Sequence, residues 1–527
     1  MPIVDPFGKR VVARLLDFFA SSTPWYRRLW CPSVLLALKE VIEASHAVRA
    51  GILNEAAMAS AVQSATLLAL VDPGVGGKEA KRALQQALSK KNIVPDGVDY
   101  STVKIAAEGV EASYLQNWAE SLAKGEHPGA ERTARAIASH LLDAGFHPNH
   151  LHRWCTFQSQ NAAGANSLSD LAANALAMVK QPQTEFSVLV AFGGVPPSKS
   201  GLPANYVPAQ DVALWLTSRG FSLKGLIQNG ALLFRISARD AWTAVQATVD
   251  TVDQLSSRVS LGADGRLQPL PIAWVEDDTR RRPPRSFPFR RDSRRIEVHA
   301  LHRENKLYVL EATSIVDAAL QLIGTLNSAP PSTAVGAGWA AVEALLSGPG
   351  DPDVVAGDRL ATLVACSITR AELTDLSFKI EQSGHRLTPQ LAACPTNRDR
   401  AKIVADAIAG AVPLNLTNAS DVAAEARVQK LLANPYEVLR DIQNHISASL
   451  VRMYKNRNLV LHGGKVDAVS LQSNLMSASP LIGAGMDRIA HAWFVQKIGP
   501  LQLAATARYS LETVGAPAGP HPVDLLS

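Results

Sequence analysis

The sequence lacks the features expected of a membrane protein or of a secreted, disulfide-linked one. No stretch approaches the roughly twenty uninterrupted apolar residues of a membrane span, and polar residues interrupt even the richest segment, 56–71. The first residues include Asp5 and Lys9 and contain no apolar signal-peptide core. No C-x-x-C pair occurs among the four cysteines, Cys31, Cys155, Cys366 and Cys394. These absences predict a cytoplasmic protein with reduced thiols and no membrane partner.

The chain also has little net charge for a nucleic-acid-binding protein. Its formal net charge is only +5, with 47% hydrophobic and 19% charged residues, which is typical of a soluble globular protein. Nucleic-acid binding therefore has to be argued from where the arginines lie. At 527 residues the chain is too long for a single core, and about two to four domains are expected.

Familiar metal and nucleotide motifs are missing as well. The segment 74–79, GVGGKE, resembles a phosphate loop, but Asp72 replaces the required first glycine and Glu79 replaces the Ser or Thr that would bind magnesium. A second segment is rich in potential zinc ligands, but their spacing matches no familiar finger, and a helix starting at Pro148 would spread them around its axis: His147, His150, His152 and Cys155. The sequence therefore predicts no metal and no cofactor.

The pattern of apolar residues predicts a mainly α protein with one small α/β region. Residues 1–183 form an N-terminal helical region, because apolar residues recur there at helical spacing. Residues 184–312 contain short β-rich runs, at 186–192, 231–236, 257–261 and 271–275, around a helix at 240–255, and they predict a small α/β accessory domain. Residues 313–514 return to helices, and residues 515–527 are expected to form a flexible tail.

One long helix carries the residues of greatest chemical interest. The predicted helix covers 435–461, with Asn434 as its cap, Pro435 in its first turn and Gly463-Gly464 as its stop. Its apolar stripe consists of Leu439, Ile442, Ile446, Leu450 and Met453. Tyr454, Asn458 and His462 lie four residues apart in one polar row, beside Arg457. His462 should lie at the negative end of the helix dipole, which favours its protonated form.

The residues at the end of this helix resemble the signature of a known protein family. Arg457-Asn458, three further residues and His462 on a terminal helix resemble the R-polar-x-x-x-H signature of HEPN-domain ribonucleases, and the flanking residues resemble the ApeA-like branch. The segments Trp339 to Leu346 and Gly357 to Ala361 are similar to two further helices of that domain. The resemblance covers roughly residues 315–510 and implies a HEPN-like helical bundle in the C-terminal half.

The resemblance also implies a function. Arg457, Asn458 and His462 would be the catalytic residues of a metal-independent endoribonuclease in which a ribose 2′-hydroxyl attacks phosphorus. Glu343 and Tyr454 would support them, the glutamate by holding the arginine. The family further implies a homodimer with a composite site, an RNA substrate with tRNA among the candidates, a phage-derived trigger, and a toxin-like role in bacterial antiviral defence. In the alternative interpretation, Glu343 is a solvated carboxylate beside a core tryptophan.

An arginine-rich arm is predicted at 280–295. Prolines within it forbid a continuous helix, and Asp292 is its only acidic residue. Phe287 and Phe289 would offer stacking surfaces for unpaired bases. Eight guanidinium groups would bind an RNA backbone: Arg280, Arg281, Arg282, Arg285, Arg290, Arg291, Arg294 and Arg295. The alternative is a solvated linker.

One repeat of the motif spacing and one alternative function bear on the ribonuclease hypothesis. Arg440 and His445 repeat the arginine-to-histidine spacing earlier on the same helix, but Asp441 can pair with His445, which predicts a salt-bridged surface. In the alternative to the ribonuclease hypothesis, the C-terminal half is a non-catalytic HEPN-like module that binds nucleic acid or a partner protein. The two functions differ at His462, which only a nuclease requires.

Overall fold

The structure, a computed structural model, describes residues 3–90, 92–194, 201–222, 225–262, 267–277, 279, 283–311 and 314–527. The chain divides into two compact units. We name them the helical unit, which takes the described residues of 1–143, 155–176 and 294–527, and the sheet unit, which takes those of 144–154 and 177–293. The fold is mainly α with one small antiparallel sheet, which confirms the predicted class at that level.

The first part of the chain is helical, as predicted. Several helices begin at a short polar side chain that accepts a backbone N–H: Asp5 accepts from Gly8 at 2.6 Å and Ser33 from Leu36 at 3.0 Å. The helices are α1 (Pro6–Phe19), α2 (Val34–Arg49), α3 (Glu55–Ala69), α4 (Lys78–Leu88), α5 (Val98–Ala123), α6 (Ala130–Asp143), α7 (Pro148–Gln160) and α8 (Leu168–Lys180).

The sheet unit is built around one strand whose middle, residues 188–192, is entirely apolar. The elements in chain order are β1 (Thr184–Gly194), β2 (Tyr206–Val207), α9 (Ala209–Ser218), β3 (Ala231–Ala238), α10 (Ala241–Gly262), β4 (Gln268–Asp277) and β5 (Arg285–Pro288). All paired strands are antiparallel, in the order β2-β3-β1-β4-β5. Val188 and Val190 pack with α10, and Leu189 packs with α9. Central β1 is therefore buried on both faces, which explains its unbroken run of apolar residues.

One predicted strand is wrong. Residues 257–261 continue α10 to Gly262. The hydroxyl groups of Ser257 and Ser260 donate to the carbonyls of Asp253 at 2.9 Å and of Ser257 at 2.8 Å, within the same helix. Serine hydroxyls can donate to carbonyls of their own helix in this way. Residues 257–261 contain neither proline nor glycine, so the helix continues through them.

The last part of the chain is again helical. Its elements are α11 (His299–Arg303), α12 (Ile315–Ser328), α13 (Pro331–Leu346), α14 (Val355–Gln382), α15 (Thr388–Ala392), α16 (Asn397–Ala409), α17 (Ala419–Ala433), α18 (Pro435–Leu461), α19 (Leu471–His491) and α20 (Pro500–Thr513). A π-helical turn, Ala492–Gln496, follows α19. Within the helical unit α18 packs against α13, α14, α17, α19, α20 and α3.

Helix α18 has the predicted bounds. Its stripe is buried, with Leu439, Ile446, Leu450 and Met453 at 0% exposure and Ile442 half-buried. Pro435 stands in the first turn as expected, but the side chain of Asn434 forms no cap hydrogen bond, so that part of the prediction is wrong. The chain leaves the helix at His462, and Gly464 follows with φ +62°, a conformation that glycine adopts without strain.

Two predictions about domain organisation are corrected. The N-terminal and C-terminal helical regions were predicted as separate domains, yet they share one compact unit, which the chain enters again at residue 294 and not at 313. The expected flexible tail packs against the helices: Val523 is 1% exposed and Leu525 is fully buried. Asp524 accepts from Arg398 at 2.6 Å. In the described part of the chain, no helix combines the length and apolar content needed to cross a bilayer.

Candidate functional site

The predicted catalytic side chains meet at the C-terminal end of α18. One terminal nitrogen of Arg457 donates to Oδ1 of Asn458 at 2.8 Å and lies 3.0 Å from Nε2 of His462. Arg457 and Asn458 are half-buried, whereas His462 is exposed. We call this arrangement the Arg457–His462 pair. It joins a fixed cation to a solvent-accessible titratable base.

The contact with Arg457 indicates which ring nitrogen of His462 is the acceptor. A guanidinium group carries only N–H donors, so Nε2 of His462 has to accept, and the ring proton then lies on Nδ1. The lone pair of Nε2, which a general base uses, therefore faces the guanidinium of Arg457.

Tyr454 extends the polar row on the inner side. Its hydroxyl donates to Oδ2 of Asp353 at 2.7 Å, and its ring lies 5.3 Å from the buried ring of Trp339. Burial, reinforced by Asp353, raises the pKa of Tyr454, so the phenol stays protonated. Asn458 lies one turn after Tyr454 on the same helix. The row therefore runs from Asp353 through Tyr454 and Asn458 to the Arg457–His462 pair.

Glu343 does not join this row. It lies on α13, one turn after Trp339, and is half-buried. Within the described residues, no hydrogen bond or ion pair joins its carboxylate to Arg457. The tryptophan has the packing role that its position suggests, because Gly357 of α14 lies so close that a Cβ atom there would be 3.2 Å from the Trp339 ring.

A buried ionic cluster lies on α18 just before the pair. Nε of Arg452 donates to both carboxylate oxygens of Glu40 on α2, at 2.8 and 2.9 Å, and Nζ of Lys455 is 3.4 Å from the same carboxylate. Burial alone would raise the pKa of Glu40, but Arg452 and Lys455 outweigh it and lower the pKa to about 2. Burial lowers the pKa of Lys455, so Arg452 is the fixed counter-ion.

The residues after His462 are held by α2, the helix that also carries Glu40. Nζ of Lys465 is 2.7 Å from Oε1 of Glu43, which also accepts the backbone N–H of Val469 at 3.2 Å. A Cβ atom at Gly463 would lie 3.1 Å from the side chain of Ile52. Sequence reasoning missed these contacts. The signal available was two cations, Arg452 and Lys455, close to the apolar stripe of α18, because buried cations require a buried anion.

The arginine-rich arm is only partly available for ligands. Arg280, Arg281 and Arg282 lie outside the described residues. Arg285 on β5 and Arg290 are exposed. Arg291 is ion-paired with Asp250 at 2.5 Å and Asp253 at 2.6 Å.

The last two arginines of the arm belong to the helical unit. Arg294 is 1% exposed and donates to the carbonyls of Leu326 at 2.7 Å and Ala329 at 2.9 Å. Arg295 is half-buried with φ +57°. Arg291 and Arg294 are therefore engaged within the protein.

The proposed stacking role of the two phenylalanines is wrong. Phe287 and Phe289 are each 7% exposed and belong to the core of the sheet unit. Phe287 also meets the ring of Trp242 edge to face at 4.8 Å. Alternation on a strand explains this, because Phe287 points inward from β5 while its neighbours Ser286 and Pro288 are exposed.

The predicted salt-bridged surface on α18 is confirmed. Nδ1 of His445 lies 3.6 Å from Asp441, one turn earlier, and Arg440 lies 3.2 Å from Glu512. Arg440 and His445 therefore have other partners and do not form a second copy of the pair. His147 is held by Asp292 at 2.6 Å in the sheet unit. Among the described residues, no group of three or more His, Cys, Asp or Glu is placed to hold a metal ion.

A cavity in the described part of the helical unit lies apart from the side chains of the Arg457–His462 pair. It has a volume of about 420 Å³. Its lining includes Asp72, in the loop after α3, and Tyr114 of α5, Arg135 of α6 and His445 of α18. Neither Arg457 nor His462 lines it. No protein-family model, curated protein or solved structure matches this chain.

Proposed function

We propose that this protein is a metal-independent endoribonuclease of the HEPN type, in which the Arg457–His462 pair cleaves RNA. The observation that carries the proposal is the 3.0 Å contact between the guanidinium of Arg457 and Nε2 of an exposed imidazole. A base beside a fixed cation is the combination that phosphodiester cleavage by a ribose hydroxyl requires. The other side chains within the row are the amide of Asn458, the phenol of Tyr454 and the carboxylate of Asp353 that accepts from the phenol.

The chemistry follows from these groups. When the substrate binds, its 2′-hydroxyl replaces Arg457 as the hydrogen-bond partner of Nε2 of His462. Nε2 then takes the proton of that hydroxyl, the 2′-oxygen forms a bond to phosphorus, and the bond from phosphorus to the 5′-oxygen breaks. Arg457 stabilises the charge that grows on the phosphoryl oxygens. The leaving 5′-oxygen takes up a proton, so the products carry a 2′,3′-cyclic phosphate and a free 5′-hydroxyl. Asn458 and Tyr454 orient the pair.

One chain offers one imidazole at this site, whereas the reaction uses a base and an acid. We therefore propose a homodimer in which two α18 helices meet and the second His462 donates the proton. The helical arrangement around α18, with Trp339 of α13 and Gly357 of α14 packed behind it, supports a HEPN-like bundle.

The exposed position of the pair supports a macromolecular substrate. Arg285 and Arg290 of the sheet unit are exposed and supply positive charge for an RNA backbone. By resemblance to the ApeA-like branch, we propose a cytoplasmic role in bacterial antiviral defence, with tRNA among the candidate substrates and a phage-derived trigger.

The test is cleavage of a mixed RNA pool in EDTA by the wild type, by His462→Ala and by a matched control, His445→Ala. Both histidines are exposed on α18, but only His462 contacts Arg457. We expect cyclic-phosphate ends from the wild type and from His445→Ala, and none from His462→Ala. Tight RNA binding by all three proteins without cleavage, in lysates of infected cells as well, would contradict the proposal and favour the non-catalytic binding module.

A further inference from the structure

Helix α2 contacts α18 before the Arg457–His462 pair and the chain after it. Glu40 binds Arg452 and Lys455, which lie five and two residues before Arg457. Glu43, three residues further along α2, binds Lys465 and the backbone of Val469, after His462. We infer that Glu40 and Glu43 are positioning residues that set the direction in which the pair points. This inference rests on the proposed function.

The carboxylates act through the helix backbone and not by contact with the pair. Lys455 and Arg457 are two residues apart, so their side chains leave α18 about 200° apart. Glu40 therefore holds the inner side of the helix while the pair lies on the outer side. A rotation of α18 by about 10° would move a group at a radius of about 6 Å by about 1 Å. A displacement of about that size can cost a hundredfold in rate.

The ionic nature of the contact favours a positioning role. An apolar contact of similar volume often stabilises a fold as well as a buried ion pair does, but it has no direction. Nε of Arg452 binds both carboxylate oxygens of Glu40, and its Nη2 donates to the hydroxyl of Ser64 on α3 at 2.9 Å. Asn456, fully buried, bonds to Ser470 at 3.2 Å. These directional bonds restrict the rotation of α18 more tightly than packing alone.

The test replaces the ionic cluster by an apolar one, Glu40→Leu with Arg452→Leu and Lys455→Met. A matched control removes the outer ion pair of the same helix, Arg440→Leu with Glu512→Leu. We expect the cluster variant to fold, with kcat lowered about tenfold or more and KM changed less than about twofold. The control should keep both constants. A folded cluster variant with the kcat of the wild type would overturn the inference.

Two further measurements keep the inference testable. If the cluster variant does not fold, the single variant Lys465→Met takes its place. It removes the ion pair between Lys465 and Glu43, and the Lys465 side chain is 41% exposed. We expect this variant to lower kcat about threefold, and an unchanged kcat would count against a role for Glu43.

The second measurement is independent of cleavage. Histidine NMR should show a shifted His462 imidazole signal in the cluster variant and an unshifted one in the control. If the wild type cleaves no RNA, the proposed function fails, and the His462 signal still decides the positioning role. An unshifted signal in a folded cluster variant, or in folded Lys465→Met, would overturn it.

Discussion

Two faces of α18 carry similar groups in opposite surroundings. On the inner face Arg452 and Lys455 meet Glu40, with side chains 6%, 6% and 1% exposed. At the outer end Arg457 meets His462, which is exposed. The inner charges pair with one another and are closed to solvent, so they can only hold structure. The outer pair keeps an accessible base beside a cation, so it is free for chemistry.

The difference between the two faces is tested most strongly by a substitution at the outer end of α18. We expect Arg457→Leu to lower kcat for RNA cleavage by about a hundredfold to a thousandfold, because it removes the charge that stabilises the transition state. Arg440→Leu, five residues before the other histidine, should leave kcat unchanged. Single-turnover cleavage with excess enzyme measures both. Equal rates for the two variants would mean that Arg457 is a surface arginine.

A substitution on the inner face should lower the free energy of unfolding. Arg452→Leu leaves Glu40 buried with only Lys455 as a partner, so we expect the free energy of unfolding to fall by about 3 to 5 kcal/mol. The half-exposed pair of Arg440 and Glu512 is the reference, and Arg440→Leu should cost less than about 1 kcal/mol. Urea unfolding of both variants tests this contrast. Losses of similar size would show that burial does not separate the two contacts.

The pH dependence of stability sharpens the contrast further. The pKa of Glu40 is about 2 in the fold, against about 4.3 for an unperturbed glutamate. Its ionic contribution is therefore fully present above pH 4.3 and is lost as the pH falls towards 2. The stability advantage of the wild type over Glu40→Gln should shrink by roughly 2 kcal/mol between pH 5 and pH 3. An advantage that is constant over this range would contradict the ionic account.

The smallest effect is expected where the inner and outer faces meet. Asp353→Asn replaces the charged acceptor of the Tyr454 hydroxyl with a neutral one. We expect a stability loss of about 1 kcal/mol and a change in kcat of less than about fivefold, because the Arg457–His462 contact does not involve Asp353 directly. Thermal unfolding and the cleavage assay measure the two. A loss of activity as large as that expected for Arg457→Leu would place Asp353 in the reaction itself.

The local parts of this account could be predicted from the sequence. The apolar spacing gave α18 its bounds, and the spacing from Arg457 to His462 placed both residues at its end. Their 3.0 Å contact also depends on how the chain turns at His462, with φ −98° and ψ −30°, which the motif alone does not specify. Asn434 shows the limit of such rules, since proline at the next position opens the helix without a side-chain cap.

Long-range partners could not be predicted. Glu40 and Arg452 are 412 residues apart, and no local pattern pairs a particular carboxylate with a particular arginine over that distance. The arginine-rich arm failed for a similar reason. Its composition suggested an exposed arm, but the tertiary partners of Arg291 and Arg294 and the inward-facing strand position of Phe287 decide what is accessible.

The most direct test of the central claim uses one RNA oligonucleotide and a copy with a single 2′-deoxyribose immediately 5′ of the cleaved bond. If the 2′-oxygen is the nucleophile, the wild-type protein in EDTA should cut the all-RNA strand and leave that bond intact in the copy, while other sites are still cut. Cleavage of the deoxy-substituted bond at the same rate would contradict the mechanism, and with it the role assigned to His462.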